Sequence, residues 1–175
     1  IQDRAGKALS RVTLDAFWAS VGVTTPFDPK SFYDPLGKRW TFVVCAGPRS
    51  ASSSMLVGIS HTSDPSGKWD LWKIDVDSQD KAWADYPNIG FNKDWIVISV
   101  NMFEISYPYG FSRSNIYVID KAKAYTKGTG AGALGKSFWY QLRTIVPAST
   151  HDDKLATMYL VATDSGSSGC LKRFK

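Results

Sequence analysis

Short runs of β-branched and aromatic residues recur along the chain, each closed by Gly, Pro, Asp, Asn or Ser. This pattern predicts strands over residues 12–18, 39–46, 55–61, 69–76, 95–103, 116–120, 138–146 and 158–163. Only residues 120–125, Asp-Lys-Ala-Lys-Ala-Tyr, read as a helical turn. Residues 127–136 are a Gly/Ala/Thr loop. The apolar runs are strand length, far short of the roughly 18 to 20 residues of a membrane helix.

The order of motifs and strands repeats. One unit opens with Phe27-Asp28-Pro29, reaches Trp40 and continues into an apolar strand. The next opens with Asp85-Tyr86-Pro87 and reaches Trp95 and another apolar strand. A third unit opens near Pro147-Ala148 and runs to Leu171-Lys172-Arg173-Phe174. Intervals of roughly 55 to 70 residues suit long-looped four-stranded blades. The expected fold is therefore all-β: a partial β-propeller of about three four-stranded antiparallel blades, with a β-sandwich as the alternative. Residues 1–175 form one β domain in this reading, a segment of a larger propeller. Residues 12–18 would be the outer strand of a blade beginning before residue 1. A stack of two and a half to three blades leaves open sheet faces. The expectation is a chain that belongs to a longer polypeptide or closes those faces by homo-oligomerisation.

Composition sharpens this picture without naming a function. Fifteen of the sixteen acids are Asp, and Glu104 is the sole Glu, which favours turns over helix surfaces. The net charge of +5 comes from scattered Lys and Arg, so it makes no focused field for nucleic acid, and no specific nucleic-acid motif is present. Of the two cysteines, Cys45 sits in a strand-like run and Cys170 follows Gly166-Ser167-Ser168-Gly169; a disulfide between them stays open. The chain starts at Ile1 with neither Met nor a signal peptide, as a processed or excised piece would.

Three segments carry a resemblance. They are residues 27–40 (Phe-Asp-Pro through Lys-Arg-Trp), Ser60-His61-Thr62-Ser63-Asp64-Pro65-Ser66-Gly67-Lys68-Trp69, and Asp85-Tyr86-Pro87-Asn88-Ile89-Gly90 with Asp94-Trp95 and Asn101-Met102-Phe103. Together they resemble the sialidase-like propellers of secreted bacterial proteins. Asp64 to Trp69 is similar to the Asp-box turn of that family, with a shortened Gly-to-Trp spacing and no Thr. The resemblance implies a secreted protein and two functions. One is non-catalytic recognition or adhesion, with a glycan or protein ligand. The alternative is a sialidase-like glycoside hydrolase, for which the family needs an arginine cluster, a Tyr–Glu pair and an Asp. Glu104, Arg39, Arg49, Arg113 and Arg143 are the residues at hand, and they do not assemble a complete set on sequence alone.

Asp28 and Asp85 open repeated units and would face each other at the mouth of a central channel. Paired carboxylates there suit Ca²⁺, so both are candidate metal ligands. The candidate binding set is Asp28, Asp34, Asp85, Asn101 and Arg49. His61 reads as a packed strand residue. Gly130-Ala131-Gly132-Ala133-Leu134-Gly135-Lys136-Ser137 spells a Walker A loop, but no apolar strand precedes it and strand-like residues follow it, so it reads as an inter-strand loop.

Overall fold

A computed structural model describes residues 1–163 and 171–174, the latter as backbone pairing only. Cys170 and the loop before it lie outside the described residues. Two four-stranded antiparallel sheets dominate. Sheet 1 contains β1 (Phe27–Asp34), β2 (Arg39–Ala46), β3 (Ser54–Ser60) and β4 (Trp69–Asp75) in sequential order. Sheet 2 contains β5 (Ala82–Phe91), β6 (Trp95–Glu104), β7 (Phe111–Asp120) and β8 (Leu134–Tyr140), again in order. A small third sheet joins β9 (Val146–Pro147), β10 (Leu160–Thr163) and β11 (Leu171–Phe174). The third unit is thus a three-stranded sheet among the described residues, where a four-stranded blade was expected.

Strands β1 and β5 escaped the sequence pattern because each holds a proline, which cannot donate to a ladder. The structure accommodates both at bulges. The register slips between Phe27 and Lys30 in β1, and between Asp85 and Asn88 in β5. Residues 12–18, expected as a strand, form α1 (Leu14–Trp18) instead. Thr13 caps it by accepting the Ala16 N–H at 3.2 Å, and Asp15 complements the first-turn dipole. Leu14, Phe17, Trp18 and Val21 then share one face at helical spacing. The turn expected at residues 120–125 is α2 (Lys121–Ala124), capped by Asp120.

Both faces of each large sheet are used. Val43, Cys45, Met55, Val57 and Trp72 of sheet 1 pack against Ile96, Ile98, Val100, Met102 and Ile119 of sheet 2. Burial of the Val, Ile and Met side chains at about 1.5 to 3 kcal/mol each makes this the main core. Phe42, Val44, Ala46 and Leu56 on the other face of sheet 1 lie under α1. Val97 and Ile116 on the far face of sheet 2 meet Ile145, Leu160 and Ala162. Cys45 is a free, fully buried thiol.

Candidate functional site

The first strands of the two sheets, β1 and β5, lie against each other. Their bulges carry left-handed residues, Asp28 (φ 52°) before Pro29 and Tyr86 (φ 54°) before Pro87. Thr144 (φ 54°) stands a further 58 residues on, the same interval that separates Asp28 from Tyr86. Asp tolerates this region, whereas a bulky Tyr there is a genuine outlier. By register Asp85 is therefore the counterpart of Phe27, one place before the left-handed residue, and Asp28 is the counterpart of Tyr86.

The offset still brings the two carboxyls together. Burial pushes the Asp85 carboxyl above its ordinary value; the charge of Asp28 and a hydrogen bond with it act the same way, against the pull of the Tyr86 N–H and Arg49. The Tyr86 N–H donates to Asp85 Oδ1 at 2.9 Å. Burial raises the Cys45 thiol, and the nearby charges of Asp85 and Asp28 act the same way.

Beside the pair lies a cavity of about 710 Å³ lined by Arg49, Trp83, Asp85, Phe103, Ile105 and Tyr109. Trp83 and Phe103 are cross-strand partners with ring centroids 5.7 Å apart. Arg143 lies over Phe103, a lining residue, at 5.7 Å and over Phe111 at 5.0 Å, in cation–π contact with both rings. Arg49 and Tyr109 occupy corresponding loops, β2–β3 and β6–β7, and both are left-handed.

Of the residues singled out from sequence, Asp28, Asp85 and Arg49 meet here. Asn101 is not among the residues lining this cavity and bonds to Thr144 and Ser114. Its Oδ1 accepts from the Thr144 N–H at 2.8 Å and the Ser114 hydroxyl at 3.1 Å, and its Nδ2 donates to Thr144 Oγ1 at 3.0 Å. It fixes the third left-handed residue in place. Asp34 lies at the opposite end of β1, in a buried cluster with Lys121 and Tyr125. The candidate binding set did not include Trp83, Phe103, Tyr109 or Arg143, although Phe103 stands in a resembling segment and Arg143 among the arginines at hand; the 58-residue interval is the signal that points towards Arg143.

The other motifs have structural partners. His61 Nε2 pairs with Asp70 Oδ1 at 2.9 Å, and Asp70 Oδ2 accepts the Gly128 N–H, tying down the long loop. Asp64 accepts the Ser66 N–H and hydroxyl, while Trp69 Nε1 donates to Pro65 O, so the Asp-box-like segment is a β3–β4 hairpin turn. The Walker-like loop folds into a 3₁₀ turn (Gly130–Ala133) and enters β8, a strand where a P-loop has a helix. Arg113 pairs with Asp77 at 3.3 Å, Arg39 donates to Lys38 O, and exposed Glu104 lines a second cavity alongside β7 and β8. Among the described residues no cluster of three or more His, Cys, Asp or Glu forms. No helix among them is long and apolar enough to cross a membrane. No family model, curated protein or solved structure matches the chain.

Proposed function

We propose that the chain is a run of propeller-type blades from an exported protein, serving non-catalytic recognition of a saccharide at the cleft between the first strands. The carrying observation is the meeting of Asp28, Asp85 and Arg49 beside an aromatic-walled cavity. Planar carboxyl and guanidinium groups pair with vicinal hydroxyls, and aromatic faces pack against the C–H faces of a sugar ring. The blade reading is supported by the uncrossed strand order, the contact between first strands, the exposure of outer strand β8 and the 58-residue interval.

Hydrolysis is the weaker reading. Glu104 lines a different cavity; Arg49 lines the cleft and Arg143 stacks on Phe103 of its wall, whereas Arg113 pairs with Asp77 and Arg39 donates to Lys38 O. Asp28 and Asp85 act on each other, but no Tyr–Glu pair of the sialidase kind stands beside them. A Ca²⁺ between them would draw most of its six to eight oxygens from carbonyls and water. Glycan-array binding by the purified chain, lost in Trp83→Ala and Asp85→Asn, is the expected result. Turnover of fluorogenic glycosides would replace recognition with catalysis, and thermal stabilisation by Ca²⁺ that Asp28→Asn abolishes would establish the metal.

A further inference from the structure

The two sheets stack in one direction. The register pairs Val43 with Val57 in sheet 1, and Ser99 with Ile116 in sheet 2, at corresponding places. Val57 packs towards sheet 2 and Ile116 towards the third sheet, so both belong to the back of their own sheet. Phe42 and Val44 then correspond to Ile98 and Val100, on the front. The front of sheet 2 receives the back of sheet 1, whereas the front of sheet 1 receives α1. Helix α1 therefore occupies, on sheet 1, the place that a whole sheet occupies on sheet 2.

The fit is local. Tyr117 on the front of sheet 2 corresponds to Gly58 on sheet 1, one place beyond Val57. The missing side chain makes room for Trp18, whose Cη2 lies 3.2 Å from where a Cβ on Gly58 would stand. Trp18 is fully buried, with Phe17 edge-on at 5.1 Å, yet its Nε1 has no hydrogen-bond partner among the described residues. Beside α1, a cavity of about 630 Å³ stays open along Phe17, Trp40, Phe42 and Trp69. A helix of five residues does not persist alone and holds its shape only while docked.

We infer that the front of sheet 1 is a sheet-docking surface for which α1 competes with the third sheet of a second copy of this chain, α1 being the built-in occupant. The packing is directional: the fronts of sheet 2 and of the third sheet each take the back of the preceding sheet, a head-to-tail contact that a second copy can continue. The inference rests on the repeated-sheet part of the proposed function and is independent of the cleft. The test is sedimentation velocity on the full chain over a range of concentrations. Wild type, Trp18→Ala and Gly58→Tyr are compared, with circular dichroism as the folding control. The variants are expected to keep the β signature, become cleavable within residues 1–23, and at least double in weight-average mass as concentration rises. Adding Val44→Lys should return them to the wild-type size. Folded variants that stay at the wild-type size, or oligomers indifferent to Val44→Lys, would overturn it. If both variants unfold, Thr13→Ala, which removes only the N-cap, decides between the same two outcomes. Saccharide binding unchanged throughout would keep the cleft reading standing whichever way this falls.

Discussion

Replacing Lys121 with Met removes one partner of a buried ion pair and should cost about 3 to 5 kcal/mol. Lys121 Nζ lies 2.5 Å from Asp34 Oδ2, with side-chain exposures of 5% and 0%. Nζ also donates to Asn92 O at 2.8 Å and sits over the rings of Phe91 and Tyr125. The cluster links the β1–β2 turn to α2 and the β5–β6 loop, so it clamps sheet 1 to sheet 2. Without the ammonium, Asp34 keeps the Tyr125 hydroxyl and the Leu36 N–H but has no counter-charge. In the native chain, burial pushes the Asp34 carboxyl up, and the bonds from Lys121, Tyr125 and Gly37 outweigh it, so its pKa lies below the ordinary value. A depressed carboxyl contributes stability above its unfolded pKa and loses it as pH falls through the folded one. In Lys121→Met the downward pull weakens and burial dominates, so the carboxyl should rise. Urea denaturation at pH 7 and at about pH 4 reads both effects. The expected result is a large loss at neutral pH that narrows in acid. A loss below about 1 kcal/mol at pH 7, the level of a surface pair, would refute the reasoning. The double variant Lys121→Met/Asp34→Leu should recover much of the loss, because the penalty lies in the orphaned charge.

Other predictions concern the cleft and the third sheet. Asp28→Asn should lower the raised Asp85 pKa; a group with a raised folded pKa loses stability as pH climbs through it, so the variant should be the more stable at pH 7 by urea titration. Tyr86→Gly should match or exceed wild-type stability by up to about 1 kcal/mol, since it relieves a left-handed aromatic residue, whereas Tyr86→Val should fall below it. Gly90→Ala should destabilise by about 2 kcal/mol or more and expose residues 145–163 to hydrogen exchange, because a Cβ there would stand 2.4 Å from Ala148 O and 2.5 Å from Pro147 O.

Legibility followed local chemistry. Strand β2 was readable to its ends because its apolar run and flanking turns agree with burial on both faces. Strands β1 and β5 were hidden because prolines at bulges look like loop punctuation, and a bulge is settled by the partner strand rather than by the residues inside it. Residues 12–18 were misread because Val and Trp favour strands, while the Thr13 cap and the notch at Gly58 favour the helix. Asp28 and Asp85 were readable as a pair from the repeat, though they differ by one place within it. Asp34 shares only its residue type with them; its partners Lys121 and Tyr125 are roughly ninety residues away in sequence, beyond any local signal. The aromatic walls went unnoticed because strand-end aromatics are ordinary core residues until the third dimension gathers them.

The proposed cleft stands on Asp28 and Asp85 interacting as one pair. Carboxyl-carbon NMR titration of Asp85 probes that pairing, in wild type and Asp28→Asn, with and without the tightest saccharide from the array. Expected are a raised Asp85 pKa in the wild type, a fall in Asp28→Asn, and a further change when saccharide binds. An Asp85 that titrates like a solvated carboxyl and ignores both the substitution and the saccharide would contradict it.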